Sequence, residues 1–169
     1  MSAPQRLAPN PLVEAAIEYG QRLKLDAPWE TNARGQIIMN PPIGFPHADR
    51  ADKITTAIKA SLPGWRVWPE LGLHTADGVK APDLSAAPAD FVVNADGRGF
   101  LLRAAVLCVE IMSPSNDWEE MRHKTLLYIA AGAKEVWVCD QDGDLHFFDG
   151  SGEVGQSAIV AEMPRHIGA

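Results

Sequence analysis

Leu12, Ala15, Ala16, Tyr19 and Leu23 recur with helical spacing behind Asn10-Pro11, an N-cap followed by proline in the first turn. Trp29 to Met39 carries two short runs around Asn32-Ala33-Arg34-Gly35 and predicts a hairpin. Pro41 to Pro46 is a stiff loop. Residues 47–61 follow as a helix with Ile54, Ala57 and Ile58 as its apolar stripe, stopped by Leu62-Pro63-Gly64. Trp65 to His74 has strand composition. A turn at Ala76-Asp77-Gly78 and a short strand from Val79 to Leu84 come next. Residues 86–99 show no clear period apart from a turn at Asn94 to Gly99.

Ala104 to Met112 is a continuous apolar run, the pattern of a strand covered on both faces. Ser113 to Asp117 caps a helix from Trp118 to Ala131, with Gly132 at its stop. Glu135 to Asp140 is a second buried strand, and the Asp-Gly turn at 141–144 leads into Leu145 to Phe148. A last strand is expected near Ala158 to Ala161. Residues 104–140 thus read as strand, helix, strand, a crossover that joins parallel neighbours. The fold class is α/β (α+β), a mixed central sheet flanked by helices.

The composition is that of one globular domain: 169 residues, 46% apolar and 22% charged. The longest apolar run is far too short to span a membrane, and Met1 to Pro11 has no apolar leader region. Cys108 and Cys139 each lie in an apolar stretch and read as buried, reduced thiols of a cytoplasmic protein. The net charge of −7 argues against a broad cationic surface for nucleic acid, and its placement is uneven. Residues 1–109 balance at 11 basic and 11 acidic groups, whereas residues 110–153 hold 10 acids against Arg122, Lys124 and Lys134.

Glu110 lies inside the buried run. A carboxylate there must be protonated, paired with a cation or bound to a metal; the plainer alternative is a structural ion pair or a strand end that reaches water. Lys124 lies among Met121, Leu127, Tyr128 and Ala131 on the helical net, on the apolar face. It either snorkels outward or points at a buried anion. Asp83 follows Pro82 at the end of the short strand. Two carboxylates and an ammonium on three consecutive elements suit Mg2+ or Mn2+ with waters and substrate phosphate.

These residues resemble a family described as "putative restriction endonuclease", within the PD-(D/E)XK nuclease superfamily. The resemblance rests on Ala81-Pro82-Asp83, Val109-Glu110-Ile111-Met112-Ser113-Pro114-Ser115, Lys124, Tyr128, Gly132 and Glu135-Val136-Trp137-Val138. It extends to Trp29-Glu30, Gly35-Gln36-Ile37, His47 and Glu162-Met163-Pro164. It implies a restriction-endonuclease-like core over residues 29–169, preceded by a helical extension over residues 1–28. It further implies a metal-dependent endonuclease acting on DNA. Asp83 and Glu110 would be metal ligands, with the backbone carbonyl of Ile111 as a third. The usual lysine two residues after the glutamate would fall on Met112; Lys124 matches a place migrated to the next helix. Glu30 resembles an accessory acid.

His47 either touches this site or is a helix-start or surface histidine, and Tyr128 either orients the lysine or substrate or packs in the core with its hydroxyl satisfied. Trp118 and Trp137 read as core, and Ser113 and Ser115 as caps. The loop from Asp140 to Asp144 lacks the calcium-loop spacing, and the five histidines lack that of a zinc site. A different class stays open: a non-catalytic nucleic-acid-binding module, or a dimeric protein-interaction module, on the same fold. No membrane partner is expected, whereas DNA and a second copy of the chain are.

Overall fold

The computed structural model describes residues 8–25 and 28–168; residues 1–7, 26 and 27 of the expected extension, and residue 169, lie outside the described residues. Helix α1 (Pro11–Leu23) is followed by a hairpin of β1 (Trp29–Thr31) and β2 (Ile37–Met39), then by α2 (Phe45–Ser61). β3 (Trp65–Pro69), β4 (Leu73–Thr75), β5 (Gly78–Lys80), β6 (Leu84–Pro88) and β7 (Leu107–Ile111) come next. Helix α3 (Trp118–Ala130), β8 (Glu135–Cys139), β9 (Leu145–Asp149) and β10 (Gly152–Val154) complete the order.

Six strands form one mixed sheet in the order β10-β9-β8-β7-β6-β3, and the expected crossover makes β7 and β8 its parallel pair. Strand periodicity then sorts side chains by face. Leu107, Val109 and Ile111 of β7 join Trp137 and Cys139 of β8 in the cluster that includes Ile54 and Ile58 of α2. Cys108, Val136 and Val138 join the opposite cluster, with Met121, Leu127 and Tyr128 of α3. Glu110 alternates with Val109 and Ile111 and therefore faces α3. Every residue of β7 and β8 is buried, as the continuous apolar runs predict. Both cysteines are free and buried. Among the described residues no helix is long and apolar enough to cross a membrane.

Three expectations need correction. The single strand expected over 65–74 is two, β3 and β4, because Glu70 turns the chain with φ at +47°. Gly72 then lies so close to Phe100 that a Cβ there would come within 2.4 Å of the ring. The strand expected over 79–84 is also divided: Pro82 offers no N–H to a ladder, so β5 stops at Lys80 and Asp83 stands just before β6 rather than at a strand end. Residues 158–161 form no strand, and β10 lies earlier, at 152–154.

Glu135 explains the last of these. Its buried carboxylate accepts from the Ala158 and Ile159 amides, the Ser157 hydroxyl and the Trp137 indole, at 2.6 to 3.1 Å. The amides of 158 and 159 that a strand would place in a ladder are spent on this side chain. Trp137 is core as expected, whereas Trp118 is only partly buried and meets the edge of His146. Replacing Glu135 by Ala removes the acceptor of four donors, of which the Trp137 indole and the Ser157 hydroxyl are buried. The loss expected is about 3 kcal/mol in a urea titration; a loss under about 1 kcal/mol would show that the carboxylate does not hold this loop.

Candidate active site

Glu110, near the end of β7, is turned by the pleat toward α3. That helix starts at Asp117, whose side chain accepts from the Glu120 amide. Its apolar face brings Lys124 and Tyr128, one turn apart, onto Glu110. The Tyr128 hydroxyl donates to Glu110 Oε1 at 2.5 Å. Lys124 Nζ lies 3.4 Å from each Glu110 oxygen and 3.1 Å from Glu30 Oε1. Lys124 thus points at a buried anion rather than snorkelling to water.

Glu30 comes from β1, outside the central sheet. Its Oε1 also accepts from the Ala81 amide at 3.0 Å, which ties it to the Ala-Pro-Asp segment. The hairpin is held there by Thr31 as well. The Thr31 hydroxyl accepts from the Val79 amide, and its carbonyl accepts from buried Lys80, both at 2.9 Å. Gly78 is required at this crossing: its φ is +86°, and a Cβ would lie 2.6 Å from the Thr31 carbonyl oxygen.

Asp83 is placed by strand register. Leu84 of β6 pairs with Val109 of β7, so one step outward on each strand sets Asp83 opposite Glu110. Asp83 Oδ2 accepts from the Ile111 amide at 2.7 Å, and Oδ1 lies 3.2 Å from His47 Nε2. His47 therefore belongs to the cluster; it is a helix-start histidine in the first turn of α2, and it reaches the site. Every residue singled out from the sequence (Glu30, His47, Asp83, Glu110, Ile111, Lys124 and Tyr128) thus lies in one connected cluster.

Three carboxylates here face one lysine, and the protonation follows from that imbalance. Burial pushes the Glu110 carboxyl up to about 8; the negative charges of Asp83 and Glu30 add to the rise, and Lys124 and the Tyr128 hydrogen bond oppose it. Burial works against the Lys124 charge, but Glu110 and Glu30 outweigh it and hold the ammonium above its usual range. Burial, then Glu110, push the Tyr128 phenol well up, so it remains a donor. The hydrogen bond to Asp83 raises His47 against the effect of burial.

Sequence reasoning missed Lys80. A lone lysine between Val79 and Ala81 carried no periodic signal, yet it is buried and bridges the Thr31 carbonyl and Asp77, the latter at 3.1 Å. A cavity of about 500 Å3 lies elsewhere, lined by residues including Val13, His74, Asp96, Arg98 and Leu127. It contains none of the three carboxylates. Its polar wall is occupied internally: Asp96 accepts from His74 at 2.8 Å, and Arg98 joins Asp96 to Glu14.

The donor set fits a hard cation and not a zinc-type site. Asp83 and Glu110 offer oxygen only, and Asp83 keeps 21% of its side chain exposed. Among the described residues no group of three or more His, Cys, Asp or Glu has the placement to hold a metal by itself. A cation at the two carboxylates would complete its shell with main-chain oxygen, water or substrate phosphate, as Mg2+ commonly does. Excess negative charge favours such an ion for the same reason that it favours a proton on Glu110.

Comparison with known proteins adds a family and a fold. A family described as "Putative restriction endonuclease" (Uma2) matches residues 18–157, which include the second half of α1. A solved structure, titled a "putative nuclease belonging to DUF820" from Anabaena variabilis, superposes with a TM-score of 0.66. It is 20% identical, and the match covers 87% of this chain and 92% of that one. No curated protein matches the sequence.

The Glu110 proton predicts a sign. Its ordinary value is 4.5 and its folded value about 8. Between those limits the folded state keeps a proton that the unfolded chain has released, so this contribution is fully present at low pH and shrinks as pH rises toward 8. Relative to Glu110→Gln, the wild type should lose stability from pH 5 to 8 in parallel urea titrations. Parallel curves would show that Glu110 is already ionised across the window.

Proposed function

The chain belongs to the Uma2 family, and we propose that it is a Mg2+- or Mn2+-dependent endonuclease that hydrolyses phosphodiester bonds of DNA. The observation that carries this reading is Asp83, just before β6 and one step beyond the Leu84–Val109 pair, set opposite Glu110 of β7, with Lys124 brought onto Glu110 by the next helix. The nuclease-like fold of its structural neighbour supports the reaction class.

Asp83 and Glu110 would hold the cation, together with the Ile111 carbonyl. When bound, the cation polarises a phosphoryl oxygen and lowers the pKa of a water. The chain's own groups do the rest. Lys124 has three N–H bonds and contacts three oxygens, Glu30 Oε1 and, at a long 3.4 Å, both oxygens of Glu110; an N–H released from that long shared contact would reach a phosphoryl oxygen or the attacking water. There it would stabilise the negative charge that develops as the P–O bond breaks. Tyr128 fixes the Glu110 carboxylate, and Glu30 keeps Lys124 from collapsing fully onto it. The acidic excess lies in α3, the Asp140 turn and their surroundings as well as at the site. It lowers the affinity expected for DNA without bearing on the chemistry of the cluster.

Cleavage of supercoiled plasmid in Mn2+ or Mg2+ tests the proposal. The wild type should nick; Asp83→Asn and Glu110→Gln should abolish nicking, and Lys124→Ala should lower it by about a hundredfold or more. Nicking retained by Glu110→Gln would remove the assignment. DNA binding in a gel shift, with no cleavage by the wild type in either metal, would favour the non-catalytic module.

A further inference from the structure

We propose that His47 is a positioning residue that orients the Asp83 carboxylate through its Nε2, and that this sets the affinity of the cation site. The inference rests on the reading that Asp83 and Glu110 hold a divalent cation. A carboxylate on a short side chain can still rotate about its last bond. Here each oxygen meets one nitrogen from a different layer: Oδ1 faces His47 Nε2 of α2 at 3.2 Å, and Oδ2 accepts the Ile111 N–H of the sheet at 2.7 Å. Two anchors on two oxygens define the plane of the group. Each oxygen keeps a lone pair for a cation. Hydrogen-bonded outer partners of this kind orient metal-binding carboxylates.

The other ring nitrogen identifies which contact matters. His47 Nδ1 is buried and has no hydrogen-bond partner among the described residues. A side chain serving only to fill this space would be better apolar, since leucine brings no unpaired nitrogen. The helix gains nothing from the imidazole as a cap either: α2 has Gly44 at its N-cap, with no side-chain cap hydrogen bond. The polar work of His47 is therefore at Nε2, on Asp83.

Glutamine and asparagine separate the two nitrogens, because the amide nitrogen of glutamine falls near the Nε2 position and that of asparagine near Nδ1. Mn2+ affinity, measured by calorimetry on the full chain, is the readout, with thermal melts of each variant alongside. The wild type should bind, and Asp83→Asn should not. His47→Ala should weaken binding about tenfold or more, His47→Gln should return it to within about threefold of wild type, and His47→Asn should behave like the alanine variant. Unchanged affinity in His47→Ala, with binding lost in Asp83→Asn, would overturn the role of His47 alone. Rescue by asparagine and not by glutamine would overturn it too, by moving the work to Nδ1. A wild type that binds no Mn2+ would overturn the cation reading itself, and this role with it.

Discussion

One ammonium group is shared between two buried carboxylates, with a third beside them, and the middle of the structure is organised around that shortage of positive charge. Lys124 cannot neutralise Glu30, Glu110 and Asp83 together. The fold answers with hydrogen-bond donors: Tyr128 on Glu110, the Ile111 and Ala81 amides on Asp83 and Glu30, and His47 on Asp83. A proton on Glu110 takes up the remainder. Such an arrangement is costly as a purely structural device, because a hydrophobic set of similar volume would serve the core at least as well. Glu135 makes the contrast within the same molecule. It too is a buried carboxylate, but four donors satisfy it, no lysine is drawn to it, and its work is to fasten the 157–159 loop.

Topology supplies the convergence. β7 is central, with β6 antiparallel on one side and β8 parallel on the other. The antiparallel register sets Asp83 against Glu110, while the parallel neighbour demands a crossover, and the crossover helix carries Lys124 and Tyr128 over the same end of β7. The pleat decides which layer each β7 residue enters: Val109 and Ile111 face α2, and Glu110 between them faces α3.

The chemistry was legible where a residue violated the pattern around it. Glu110 in an apolar run and Lys124 on an apolar helical face each announced a buried charge, and the two are partners. The crossover was legible from its length and its paired apolar runs. What could not be read lies where local period is short or broken. The division of residues 65–88 into four strands depends on the left-handed Glu70, the close approach of Gly72 to Phe100 and the missing N–H of Pro82. The loop at 157–159 has strand composition, but a distant carboxylate captures its amides. Lys80 and Thr31 carry no pattern at all, since what joins them is a pair of side-chain to main-chain hydrogen bonds between two elements distant in sequence.

The docking of the β1–β2 hairpin has a consequence of its own. Glu30 reaches Lys124 from a two-stranded ribbon outside the six-stranded sheet, fastened by the Ala81 amide, Thr31 and Lys80. The other members of the cluster sit on the central sheet and the two helices packed on it. The complete cluster is thus only as persistent as the seating of that ribbon: a local opening that lifts residues 29–39 would release the second counter-ion of Lys124 while the core stayed folded. The ammonium would then be left with Glu110, and the charge distribution of the site would follow the seating of the ribbon rather than global stability.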